Sequence, residues 1–329
     1  MKSDSHIWAL VLAAGDGNRL RSLTTAGSGV TVPKQFCSLY EGPSLLHEAL
    51  VRAYSVAAED KTCVIVAEQH RRWWQQTVRS LPQNNVIVQA RNRGTALGIL
   101  LPLLHILSRD PQAKLVLLPS DHHVREESVL TNAMREALDQ LDSHVHETIL
   151  LGIQPQDLDL ELGYIVPGAS DGRGALAVER FVEKPSASLA NELIRAGAFW
   201  NIFIIAARAQ ALLDLFQARF PEIVAVMRAA LEADHKDGAD GAALAGLYET
   251  LPVVDFSRDI LGAQLTELRV LPVPPCGWSD LGTPKRVSET LQRSPPPAKH
   301  ASVTAGMGYL SLALQHVRTG GIGTASAAR

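Results

Sequence analysis

The chain predicts an α/β fold built on a doubly wound, mostly parallel sheet. Short β-branched or aliphatic runs of strand length recur along it, and longer segments with apolar residues near helical spacing lie between them. Strand and helix in alternation imply parallel pairing through crossover connections. Glycines and carboxylates follow directly on the ends of the runs, where open sheets of this kind hold ligands.

Taken in order, residues 7–13 are apolar throughout and stop just before Gly15, as a buried strand entering a turn does. Residues 62–67, 85–89, 114–119 and 147–153 repeat the pattern. The segments 44–57, 95–108 and 126–141 between them are long enough for crossover helices. The ligand end of such a sheet then gathers Gly15, Asp121 and the segment 89–95. From Gly163 the texture changes to a hairpin, 164–167 and 175–182, joined by the turn-rich stretch 168–174. A helix over 186–196, an apolar segment over 199–206 and an alanine- and leucine-rich helical region over 209–251 follow, the last interrupted by a loop at 234–241. A final strand over 267–273 leads into Pro274-Pro275-Cys276-Gly277-Trp278-Ser279-Asp280. Beyond residue 294 the composition turns to Pro, Ala, Gly, Ser and Thr without a single acidic residue, which reads as a flexible tail with one short helix near 307–317. The expected organisation is one domain over 1–293, in two parts over about 1–153 and about 154–293.

At 329 residues, 46% hydrophobic and 20% charged, the composition is that of a soluble globular protein able to bury a large core. A net charge of −3 argues against a nucleic-acid partner, so any phosphate chemistry rests on locally placed cations. Cys37, Cys63 and Cys276 are odd in number, far apart and outside C-x-x-C pairs, which argues against a disulfide framework or a structural zinc and for a reducing cytoplasm. No segment reads as a signal peptide or membrane span.

The stretch Leu12-Ala13-Ala14-Gly15-Asp16-Gly17-Asn18-Arg19-Leu20, with Pro33-Lys34-Gln35-Phe36 after it, reads as a triphosphate cradle. Its glycines let backbone N–H groups approach an anion, and Arg19 and Lys34 supply fixed positive charge. A Rossmann fingerprint fails because Leu20 stands where its third glycine belongs, and no Gly-Lys-Ser/Thr of a P-loop is present. Together the two stretches resemble the sugar-1-phosphate nucleotidylyltransferases, and Pro-Lys-Gln-Phe resembles the mannose-1-phosphate guanylyltransferase branch. That resemblance implies a Rossmann-like, glycosyltransferase-A-like sheet with an inserted sugar-binding hairpin and helices, the part over about 1–153 binding nucleotide and the part over about 154–293 binding sugar. It implies transfer of a nucleotidyl group from GTP to mannose 1-phosphate, with release of pyrophosphate and formation of GDP-mannose. Uridylyl-, cytidylyl- and thymidylyltransferases of the same family share the Ala13-Ala14-Gly15 opening and stay open as alternatives, as does a catalytically silent nucleotide- or sugar-phosphate-binding regulatory subunit. Small-molecule substrates are the expected partners, with no nucleic acid and no membrane, and a homodimer is compatible with the sequence. The chain is expected to carry neither the β-helix nor the isomerase domain found in many relatives.

By the same resemblance Asp121, in Leu118-Pro119-Ser120-Asp121-His122, and Asp280, in Gly277-Trp278-Ser279-Asp280, jointly hold a magnesium ion. Two hard carboxylates suit magnesium, which completes its shell with water and phosphate oxygens. Capping roles are the structural alternative, Asp121 for the helix starting near 126 and Asp280 for a turn before Pro284. In Phe181-Val182-Glu183-Lys184-Pro185 the resemblance gives Glu183 the sugar hydroxyls and Lys184 the sugar's phosphate; a surface ion pair is the alternative. Gly163 in Leu162-Gly163-Tyr164-Ile165 and Asn201 in Trp200-Asn201 are implied sugar contacts. After that pair the family has a serine and a glycine, where this chain has Ile202 and Phe203. The triphosphate and base fall to residues 12–15, Gly17, Asn18, Arg19, Lys34, Gln89, Arg93, Thr95 and Asp121, although Gly94 replaces an asparagine of the base loop. Asp255-Phe256-Ser257 resembles the family's Ser-Ile-Asp-Tyr-Ala region, and that resemblance allows Asp255 a secondary role near metal or sugar. Arg19, Lys34 and Lys184 are the expected catalytic cations, and Lys34 and Asp280 are expected at solvent-lined strand ends. Trp73 and Trp74 read as packing residues, Arg71 and Arg72 as a solvated face, and His122 and His123 as supports of the Asp121 loop.

Overall fold

The computed structural model describes residues 5–25, 29–40, 42–170, 172, 174–237 and 241–293; the expected tail and its helix lie outside them. The strands are β1 (Ile7–Ala13), β2 (Thr62–Ala67), β3 (Val86–Gln89), β4 (Lys114–Pro119), β5 (Thr148–Ile153), β6 (Gly163–Pro167), β7 (Leu176–Glu183), β8 (Phe199–Arg208) and β9 (Leu268–Val273). The helices are α1 (Arg21–Thr24), α2 (Leu45–Tyr54), α3 (Arg71–Trp74), α4 (Thr95–Arg109), α5 (Glu127–Gln140), α6 (Ala187–Arg195), α7 (Ala209–Arg219), α8 (Pro221–Asp237), α9 (Ala242–Thr250), α10 (Phe256–Asp259) and α11 (Pro284–Arg293).

Alternate residues of β1 part to opposite faces because side chains alternate along a strand. Ala9, Val11 and Ala13 join the core under α2 and α5, while Trp8 and Leu10 join the core under α4, α7 and α10. Both faces are therefore covered, and the sheet is doubly wound. A smaller cluster of Tyr164, Val166, Leu193 and Trp200 seats α6 against β6 and β8.

The nine strands run in the order β3-β2-β1-β4-β8-β5-β9-β7-β6. Pairings among β3, β2, β1 and β4 are all parallel. Beyond β4 the sheet is mixed, because β8 and β7 run against the direction that the other described strands share, so most of its strands still run parallel as expected. β8 runs antiparallel to both β4 and β5, and β5 pairs with β9 in parallel. β6 pairs antiparallel with β7 and with the start of β8, so the strands of the second half close a circuit of pairings. The helical region after β8 also divides differently. α7 ends at Arg219 and α8 starts on Pro221, a residue suited to a first helical position and unable to continue the helix before it. α8 then runs on to Asp237, through the start of the expected loop.

Candidate active site

The glycine loop leaves β1 and turns at Gly17, whose φ of 63° is left-handed. A Cβ there would lie 2.9 Å from the backbone nitrogen of Lys34, so the close approach of the two motifs requires glycine. Gly15 faces open space, with nothing within 4 Å of a would-be Cβ. Gln35 holds the loop from beneath, its amide donating to the carbonyls of Ala13 at 3.0 Å and Gly15 at 2.8 Å. Asp16 ties the loop's crest outward, accepting from Gln69 at 2.8 Å and Asn92 at 3.2 Å.

Asp121 and Asp280 lie 159 positions apart in sequence, and a short backbone bridge joins their loops. His123 and Ser279 exchange N–H···O bonds of 2.9 Å in both directions. Lys34 sits between the two aspartates. Its Nζ is 2.9 Å from Asp121 Oδ2 and donates to the Asp280 carbonyl at 2.5 Å. Lys34 is 4% exposed and stands outside the cavity wall, so the expected solvent-lined setting does not hold for it; Asp280, also 4% exposed, does line the cavity. The capping alternative for Asp280 is met as well, because its Oδ1 accepts from Gly282 N at 3.0 Å and from Arg286. Asp121 caps no helix; Glu126 stands at the start of α5.

Electrostatics keep both carboxylates ionised. Burial works against the charge of Asp121, but Lys34 and then His122 hold its carboxyl below the usual range. Burial opposes Asp280 likewise, and Arg286, His122 and Lys34 outweigh it. Burial also pushes the His122 imidazole down to about 4, so it is neutral near pH 7. Its Nδ1 accepts from the Trp278 indole at 3.3 Å, which leaves the proton on Nε2, 3.7 Å from Asp121 Oδ1. His122 also lines the cavity, beyond the supporting role expected of it.

That cavity, about 340 Å³, opens at the ligand end of the sheet. Its wall includes Leu12, Ala14, Gly15, Gly17, Arg19, Gln89, Thr95, Asp121 and Asp280 from the nucleotide and metal sets, and Gly163, Glu183, Lys184 and Asn201 from the sugar set. Ala13, Asn18, Lys34 and Arg93 are not in the wall. Ala13 lies behind it as an acceptor for Gln35, Asn18 opens the 3-10 turn after Gly17, and Lys34 acts from beneath through Asp121. Arg93 points away, donating to the carbonyls of Tyr248 and Glu249 at 2.7 Å each, where it caps the end of α9. The structure therefore does not bring Arg93 to the triphosphate or base. Gln89 Oε1 is buried and unpartnered, an acceptor available to a donor on a ligand.

At the other end, burial pushes Glu183 up to about 7, with Asp255 adding to the effect and Lys184 opposing it. Asp255 lines the cavity and also accepts from Arg258 N at 2.9 Å at the start of α10. Lys184 Nζ lies 3.6 Å and Arg19 Nη1 3.5 Å from the same oxygen of Glu161, so the two cations expected to hold phosphates converge across the cavity mouth. Glu161, Gln35 and Arg286 were not singled out by the sequence reading. Gln35 lay inside a quoted motif; Arg286 had no signal beyond being a cation six residues after Asp280.

Two ionised carboxylates at the edge of one cavity, with room for ligand oxygens, fit a hard divalent ion. Among the described residues no group of three or more His, Cys, Asp or Glu stands ready to enclose a metal, so substrate and water would complete the shell. No helix among the described residues is long and apolar enough to cross a membrane.

The family model described as Nucleotidyl transferase matches residues 8–293. Mannose-1-phosphate guanylyltransferase 2 of Escherichia coli O157:H7 is 29% identical over 293 residues, which cover 85% of this chain and 59% of that protein. The xanthan biosynthesis protein XanB of Xanthomonas campestris pv. campestris (strain B100) is 28% identical over 282 residues, covering 85% and 58%. The chain thus spans less than two thirds of the length of these curated relatives. A crystal structure from Thermus thermophilus, described as a mannose-1-phosphate geranyltransferase, superposes with a TM-score of 0.72 at 26% identity, covering 88% of this chain and 80% of that one. A UDP-glucose pyrophosphorylase complexed with UDP-glucose, at 14% identity, a TM-score of 0.55 and coverage of 87% and 97%, shares the fold.

Proposed function

We propose, given that the chain belongs to the nucleotidyl transferase family, that it joins mannose 1-phosphate to GTP and releases pyrophosphate and GDP-mannose. The observation that carries this reading is the meeting of Asp121 and Asp280 around Lys34 at one cavity that also holds Glu183, Lys184 and Asn201. The relatives named for mannose-1-phosphate guanylyl transfer support the choice of substrates.

In this reading the open backbone at Gly15 and Gly17, braced by Gln35, receives the triphosphate, and Arg19 meets its charge. The unpartnered Gln89 Oε1 accepts from the base; guanine offers adjacent N–H donors. Glu183 and Asn201 take sugar hydroxyls, and Lys184 orients the sugar's phosphate toward the α-phosphorus. A phosphate oxygen of the sugar forms the new P–O bond as the bridging bond to pyrophosphate breaks, so no protein nucleophile is needed. Asp121 and Asp280 would hold magnesium, whose chemistry is neutralisation of charge developing on the transferring and leaving phosphates. Catalysis is then positioning and charge stabilisation. Three free, buried thiols fit a reducing cytoplasm.

Pyrophosphate release from GTP, UTP, CTP, TTP and ATP, each with a panel of hexose 1-phosphates, tests the reading with magnesium and with EDTA. GTP with mannose 1-phosphate is expected to turn over fastest and to stop in EDTA. Selectivity for another triphosphate would reassign the base, and no metal-dependent turnover in any pair would leave only a binding role.

A further inference from the structure

Among the described residues three that are not glycine have a positive φ, Lys184 at 48°, Phe203 at 58° and Leu281 at 47°, and all three lie in or beside the cavity. Phe203 is the bulkiest of them. A left-handed backbone is strained for an L-residue with a Cβ and is retained where the surroundings impose it.

The imposing feature is a bulge in β8. Gly152 of β5 is opposite Asn201, while Leu150 is opposite Ile205, so β8 carries two more residues than its partner over this span. Asn201 Oδ1 accepts from Phe203 N at 3.1 Å and holds the bulge closed. Phe203 lines the cavity, half-buried, two positions after Asn201. Its ring meets Phe256 edge-on, with centroids 6.2 Å apart and planes at 73°. Phe256 is flanked by Asp255 and Ser257, which also line the cavity.

The surroundings at this end are otherwise polar and tight. A Cβ on Gly163 would stand 2.7 Å from Glu183 Oε2 and 3.4 Å from Asn201 Cβ, so that wall has no slack. Phe203 is a large apolar side chain in the same cavity wall as those polar groups, and the bulge and the Phe256 ring set its place. A benzyl group there takes up more volume than an acetamido substituent on a sugar would need.

We infer that Phe203 determines substrate size at the sugar end of the cavity, admitting a hexose 1-phosphate with free hydroxyls and excluding one that carries an N-acyl group. This inference rests on the sugar-phosphate reading of the cavity. It assigns a role to a side chain that makes no polar contact with the substrate.

The test compares mannose 1-phosphate with N-acetylmannosamine 1-phosphate, which differ only at C2, in wild type, Phe203→Gly and Phe203→Ala. The ratio of kcat/KM for the acetamido sugar to that for mannose 1-phosphate is expected to rise about tenfold or more in both variants. Melting of Phe203→Gly is expected to stay near wild type, because relief of the left-handed strain offsets the lost ring contact. Equal loss on both sugars, with an unchanged ratio, would mean a packing role and overturn the inference. Thermal shift with each sugar phosphate keeps the two readings separable. If no protein releases pyrophosphate but the acetamido sugar stabilises only the variants, the enzyme reading fails and the size limit stands. An identical response of wild type and variants, or none, overturns the size limit.

Discussion

Removing the Lys34 ammonium leaves Asp121 without its 2.9 Å partner and strips the positive charge from between two ionised aspartates. Lys34→Met is therefore expected to lower kcat/KM by about 100- to 1,000-fold. Because the lysine is buried, it is also expected to lower stability, by about 2 kcal/mol once the partial exposure of Asp121 is allowed for. A variant that loses activity with an unchanged melting temperature would place Lys34 outside this network. Glu183 offers a pH signature. Its folded pKa, up to about 7 from 4.5, is above the unfolded value, so the native state binds the extra proton and stability falls as pH rises from about 4.5 through 7. Asp255, Lys184, Arg258 and Arg19 are the charges acting on it. Glu183→Gln removes the penalty, so the variant is expected to gain on wild type between pH 5 and pH 8 by up to about 3 kcal/mol. A difference in melting temperature that is flat with pH would refute the buried, ionisable setting. Motif residues with a distinctive neighbourhood in sequence, such as Gly17, Asp121 and Glu183, were legible. Arg93 and Arg286 were not, because whether an arginine meets a ligand or a helix end is decided by α9 and Asp159, remote in the chain.

At the scale of elements, the strands were legible to within a residue or two, since a buried strand must be apolar along its length and the turn after it must not be. Their neighbours were not. β8 was visible as an apolar segment, yet nothing local says that it enters antiparallel between β4 and β5. The segment 89–95 shows how much such tertiary contacts constrain. Gly94, φ 88°, opens α4, and a Cβ on it would lie 2.2 Å from the Val254 carbonyl, which also receives the Ala96 N–H at 3.1 Å. Gly94→Ala is expected to destabilise the protein by about 2–4 kcal/mol and to raise KM for the triphosphate more than for the sugar phosphate. Gly15→Ala makes the contrast. Nothing stands near that Cβ except the cavity, so melting is expected to hold while KM for the triphosphate rises. Equal melting of the two variants, measured by circular dichroism, would contradict this account of the segment before α4.

For the whole molecule, the cavity takes its wall from strand ends on both sides of β8, and β8 is hydrogen-bonded to β4 in one direction and β5 in the other. A ligand filling it bridges the parallel half of the sheet and the mixed half. Because the nine strands are continuous, residues up to 293 are expected to unfold in one transition, and a bound ligand should raise that whole transition. At a concentration of 100 times Kd a ligand specific to the native state adds about 2.7 kcal/mol. In a chain of this size that corresponds to a rise of roughly 4–6 °C. A GTP analogue with a methylene between its α and β phosphates, supplied with magnesium, is expected to produce such a shift by calorimetry, and Asp280→Asn to reduce it. Two separate transitions, of which the analogue moves only one, would mean that the halves fold independently and that the shared sheet does not couple them.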